Sequence, residues 1–161
     1  MTTTWETDLA DFLTSLSTVQ DELLSVLAKK RQCMAKRDLA GMQALMAREA
    51  ELGDQLQAVQ ARRAELLSAA QAQGVACDNL SKLANKLPAG KREAIGKQVK
   101  DASWRMRLLQ HQSLTNWVVA QRSVLHLSQM IEIIATGGRL RPTYGKSDAA
   151  LARGALVDRE A

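Results

Sequence analysis

The sequence holds two histidines and two cysteines, the side chains best suited to soft metal ligation and thiol or imidazole chemistry, and their spacing limits what they can do. His111 and His126 lie fifteen positions apart; on one helix that is roughly 22 Å, too far to share an ion. Cys33 and Cys77 are isolated. In a hairpin turning near Asp38, roughly 35 helical residues would separate them, which a disulfide cannot span. Both read as small buried hydrophobes. No Ser or Cys sits in a nucleophile motif, the acids show no paired placement, and there is no G-x-G-x-x-G or Walker loop. The chain reads as a non-enzyme without metal or cofactor.

Basic clusters offer a second kind of chemistry, phosphate binding. Lys29-Lys30-Arg31 and Arg62-Arg63 carry no interleaved aromatics, so they lack the stacking platform of single-strand binders. The formal net charge is +5, and it is unevenly spread. Residues 1–28 hold Glu6, Asp8, Asp11, Asp21 and Glu22 without a Lys or Arg. Residues 82–107 hold Lys82, Lys86, Lys91, Arg92, Lys97, Lys100, Arg105 and Arg107 against Glu93 and Asp101. If the first and last long helices start side by side, the two regions complement each other, and no nucleic acid is expected.

Apolar recognition is the chemistry the sequence concentrates. Between Leu108 and Ala135 only Arg122 and Glu132 are charged, while Leu, Val, Ile, Met and Trp crowd the run. At 3.6 residues per turn these side chains spread around most of a helix instead of forming one stripe. Such a helix must be covered by something. Asn116, Gln121, Arg122, His126, Ser128, Gln129 and Glu132 interrupt the run, which excludes membrane insertion. The candidate partner-binding surface is Leu114, Trp117, Val118, Gln121, Val124, Leu125, Ser128, Ile131 and Ile134. Trp104 and Trp117 fall on the same predicted helix; a helical tryptophan is by default core, and Trp117 is the better surface candidate of the two.

The elements that must position this surface are helices. Nine Gly, two Pro and 3% aromatics in 161 residues describe long helices, not a strand-rich enzyme. The start, Met1-Thr-Thr-Thr-Trp5, lacks the regions of a signal peptide, so the expected compartment is the cytoplasm. A first helix is predicted from about Trp5 to Lys36, with Thr3-x-x-Glu6 as capping box. Leu9, Phe12, Leu16, Val19, Leu23, Val26, Lys30 and Cys33 form its seam at spacings of three and four. Leu13, Leu27 and Met34 form a second column, which implies a third helix.

Asp38 can cap a second helix reaching about Gln73, with Met42, Leu45, Leu52, Leu56, Val59 and Leu66 on its seam. Glu49 and Arg63 fall on that seam as well. Gly41 and Gly53 weaken this helix if interior, and Gly74 stops it. A connector helix follows, capped by Asp78, carrying Leu80, Leu83 and Leu87 and ended by Pro88-Ala-Gly90. The last helix is predicted from about Lys91 to Ala135, with Ile95, Val99, Ala102, Met106 and Leu109 as its first seam. The fold class is all-α: three long antiparallel helices, a short connector helix and a flexible C-terminal tail. Residues 1–136 form the helical coiled-coil or bundle domain and 137–161 the tail.

This order of features resembles the FlgN family of flagellar export chaperones, over about residues 12 to 146. The resemblance rests on the Leu-rich opening helix, Lys36-Arg-Asp-Leu39 at the turn, and Glu49-Ala-Glu-Leu52. Arg62-Arg-Ala-Glu-Leu-Leu67, Leu80-x-x-Leu83-Ala-x-x-Leu87-Pro88, Asn116, Met130-Ile-Glu-Ile-Ile134 and Tyr144-Gly145 complete it. The family tends to show two asparagines three residues apart on the last helix; here Ser113 occupies the first position. The resemblance implies a chaperone that holds hook–filament junction proteins by their C-terminal helices, prevents premature assembly and delivers them to the export apparatus. It adds Tyr144 to the candidate surface. Two other readings use the same residues differently: a self-associating coiled coil, with the apolar helix as homo-oligomer interface, or a nucleic-acid adapter using residues 82–107.

Overall fold

The computed structural model describes residues 4–75 and 77–138. Four helices follow in order: α1 (Thr4–Lys36), α2 (Leu39–Ala72), α3 (Leu80–Asn85) and α4 (Ala89–Thr136). No strand occurs among the described residues, so the all-α reading holds. Thr3 of the expected capping box and Tyr144 of the tail lie outside the described residues. The chain divides into two compact units, Met1–Asn116 and Trp117–Ala161, with the division inside α4.

The first unit contains the core. α1 and α2 form a close hairpin. At its turn Arg37 adopts a left-handed backbone (φ 57°), and the Asp38 N–H donates to Cys33 O at 2.9 Å, closing α1 with a reversal normally given to glycine. The Asp38 side chain then caps α2 by accepting from the Gly41 N–H at 2.8 Å. Gly41 therefore sits in the first turn, not in the interior. A Cβ there would meet the Asp38 carboxylate and come within 2.9 Å of Cys33 Sγ, so a larger residue would displace the capping side chain. Gly53 is interior and open, as expected.

Packing follows the predicted columns. Leu9, Phe12, Leu13 and Leu16 of α1 meet Leu66 and Ala70 of α2, Val99 and Ala102 of α4, and Cys77, Leu83, Ala84 and Leu87 of the connector. Farther along, Val19, Leu23, Val26 and Leu27 enclose Leu52 and Leu109. Each fully buried Leu contributes about 1.5–3 kcal/mol of transfer free energy. Lys30 and Glu49, the polar members of the first two seams, meet in an ion pair of 2.7 Å. Both cysteines are free, and Cys77 is a buried member of the core.

Long-range bonds set the direction of the helices in this unit. The Lys91 ammonium pairs with Glu6 at 3.3 Å, Arg105 with Asp21 at 2.8 Å, and the Asn116 amide donates to Leu27 O at 2.9 Å. The first and last helices therefore run parallel here, each antiparallel to α2, and the acidic start of one meets the basic start of the other. Gln20, buried in the second column of α1, donates to Ala102 O at 3.0 Å, leaving its carbonyl oxygen without a partner among the described residues.

The connector differs from expectation in one detail. Asn79, not Asp78, caps α3, accepting from the Lys82 N–H at 2.8 Å. Asp78 instead binds the Lys82 ammonium at 2.8 Å. Its hydrogen bond to Lys82 holds the Asp78 carboxyl below the usual carboxylate range and raises Lys82 in return. Pro88 does not separate the helices by a loop. Its carbonyl accepts from Lys91 and Arg92, so Ala89 and Gly90 already belong to the first turn of α4.

Candidate functional site

α4 has 48 residues and a length of about 72 Å at 1.5 Å per residue. From Leu108 onward it contains no Gly or Pro before Gly137 and Gly138, which end it with left-handed backbones (φ 62° and 78°). Gly138 N–H donates to Ile133 O at 2.8 Å and Gly137 N–H to Ile134 O at 3.4 Å, closing the last carbonyls.

Up to Asn116 the inner face of α4 is buried at Val99, Ala102, Leu109 and Asn116. Asn116 donates to Leu27 O and accepts from Arg31 Nε at 3.2 Å. It is a structural tie within the first unit, while Ser113, the departure from the family's asparagine pair, is exposed.

The helical part of the second unit is bare along its described length. Trp117, Val124, Leu125, Leu127, Met130, Ile131, Ile133 and Ile134 are all exposed, Trp117 at 57% and Ile131 at 65%. Of the candidate residues, Gln121 and Ser128 are exposed too, and Val118 is half-buried. Leu114 is exposed but belongs to the first unit. Tyr144 lies outside the described residues.

Two hydroxyls of this stretch are turned onto their own helix. Ser123 Oγ donates to Val119 O at 2.9 Å and Thr136 Oγ1 to Glu132 O at 2.7 Å. Hydroxyls satisfied in this way present few unmet donors, so what the helix offers is apolar area. Arg122 and Glu132 are its charged residues. Such a surface recognises a partner by burial, with hydrogen bonds and charge secondary. Covering one exposed Leu or Ile is favourable by about 1.5–3 kcal/mol, which makes this stretch the candidate site among the described residues.

Other chemistry finds no comparable arrangement. Among the described residues no group of three or more His, Cys, Asp or Glu could hold a metal, and both histidines are exposed. Lys82, Lys91 and Arg105, three of the eight cations of residues 82–107, are engaged by Asp78, Glu6 and Asp21. No helix among the described residues is long and apolar enough to cross a membrane.

Two features escaped the sequence reading. Trp104, expected in the core, is 64% exposed; it lies off the Val99–Ala102–Met106–Leu109 seam, a signal that was present. Gln20 occupies the column of Leu13 and Leu27, and only the missing apolar residue at that step marked it.

The profile of the family described as FlgN protein matches residues 1–151 of this chain. It belongs to the FlgN family. Membership covers both the helical hairpin and the bare end of α4, and it implies a flagellar export chaperone. No curated protein and no solved structure matched the chain.

Proposed function

We propose that this FlgN-family protein is a cytoplasmic chaperone, not an enzyme, that binds the C-terminal helices of hook–filament junction proteins. It keeps them from assembling early and brings them to the export apparatus. The observation that carries this reading is the uncovered apolar end of α4. A subunit destined to polymerise through amphipathic helices needs those helices masked before export. A rigid helix with exposed Trp117, Val124, Leu125, Ile131 and Ile134 can mask them by packing against their apolar faces. Val118, Gln121 and Ser128 complete the contact, Leu114 extends it on the same helix, and Tyr144 adds to it from the tail. Asn116 and the first unit supply the scaffold.

The test is light scattering on mixtures of the full chain with a full-length junction protein from the same genome. The expected result is a stoichiometric complex and suppressed self-assembly of the junction protein. A stable oligomer of this chain alone, with no complex, would instead make α4 a self-association interface.

A further inference from the structure

The apolar end of α4 is wider than one helical partner can cover. At about 100° per residue, its exposed apolar side chains span roughly 280° of the circumference. One sector holds Trp117, Val124, Ile131 and Leu125. A second holds Val119, Met130 and Ile133, with Leu127 and Ile134 between the two. All nine are exposed. A helix facing a single partner carries an apolar stripe on the order of 100° wide.

α1 shows what a wide apolar arc does in this chain. Its two columns engage two helices at once: Leu23 and Val26 pack with Leu52 of α2, while Gln20 and Leu27 bond to Ala102 and Asn116 of α4. The seam of α4 that is buried at Val99, Ala102, Leu109 and Asn116 continues at strict three–four spacing through Ala120, Ser123, Leu127, Met130 and Ile134. This is the heptad register of an established helix–helix interface, now unpartnered, with small residues at Ala120 and Ser123 leaving room for large side chains.

Resting on the chaperone reading, we infer that the end of α4 seats two amphipathic helices of the same cargo chain, one in each sector. The first packs over Trp117, Val124, Leu125 and Ile131. The second packs over Val119, Met130 and Ile133, with Leu127 and Ile134 of the continued seam shared between the two helices and Ala120 and Ser123 leaving room there for their bulkiest side chains. α4 is then the central helix of a three-helix cluster, as α1 is within the first unit. With Arg122 and Glu132 the only charges on this stretch, register is set by side-chain size and not by ion pairs.

The experiment titrates the full chain, Leu125→Glu and Met130→Glu with a full-length junction protein and with the peptide of its last C-terminal helix alone. Both positions are exposed, so helicity by circular dichroism should be unchanged. The expected result is that each substitution weakens the full-length cargo about tenfold or more, whereas the single-helix peptide is weakened by Leu125→Glu and not by Met130→Glu. Full-length cargo sensitive to one substitution alone would overturn the two-helix arrangement and leave the chaperone reading standing. Cargo that does not bind the unaltered chain would overturn both. A dimer of this chain that Met130→Glu dissociates, with cargo affinity unchanged, would assign the second sector to self-association and overturn the proposal.

Discussion

Gly41 and Gly53 are the same residue on the same helix, yet their surroundings predict opposite responses to one methyl group. At Gly53 a Cβ meets nothing within 4 Å, so Gly53→Ala should stabilise by up to about 1 kcal/mol through helix propensity. At Gly41 the methyl collides with the capping Asp38 carboxylate. Gly41→Ala should therefore destabilise by about 1 kcal/mol, the scale of a lost cap. Urea denaturation of both variants checks this; a gain at both positions would remove the cap argument. Asn116 makes a second residue-level case. Asn116→Ala loses the bonds to Leu27 O and Arg31 and should lower stability by about 1–2 kcal/mol, while affinity for cargo stays within about twofold. A selective loss of cargo affinity with full stability would instead make Asn116 part of the binding surface. The sequence showed Asn116 as a family feature but could not assign its role, because a buried structural amide and an exposed recognition amide look alike until its partners are placed.

Among the elements, the hairpin was legible because periodicity reports burial directly. Leu9, Phe12, Leu16, Val19, Leu23 and Val26 of the predicted seam are all buried, and only Lys30 and Cys33 at its end are half-buried. Local choices between chemically equivalent neighbours were not legible. Asp78 and Asn79 can each cap a helix; Asn79 does so, and Asp78 pairs with the Lys82 ammonium instead. The seam ion pair Lys30–Glu49, about a quarter to a third exposed, illustrates how α1 and α2 hold their register. Polar pairs of this kind fix alignment and add little stability. The double substitution Lys30→Leu with Glu49→Leu should raise stability by about 1 kcal/mol, and either single change should lower it. Thermal unfolding of the three variants decides the matter. A double variant less stable than either single one would show the pair to be stabilising in its own right.

At the scale of the whole molecule, the chain keeps its buried core in Met1–Asn116 and leaves the helical part of Trp117–Ala161 apolar and exposed. That contrast was partly readable beforehand. A run with two charges among 28 residues and apolar side chains on most of its circumference has more to bury than one seam can hold. Which side would stay uncovered depended on the tertiary partners of α4, and Val118, half-buried among exposed neighbours, shows the limit of reading faces from spacing. The direct test of the account is calorimetric titration of the full chain with C-terminal helical peptides of the hook–filament junction proteins, repeated with Leu125→Glu. The account predicts saturable one-to-one binding that Leu125→Glu weakens about tenfold or more with helicity retained. Unaltered affinity in Leu125→Glu, or no binding of either peptide by the unaltered chain, would contradict it.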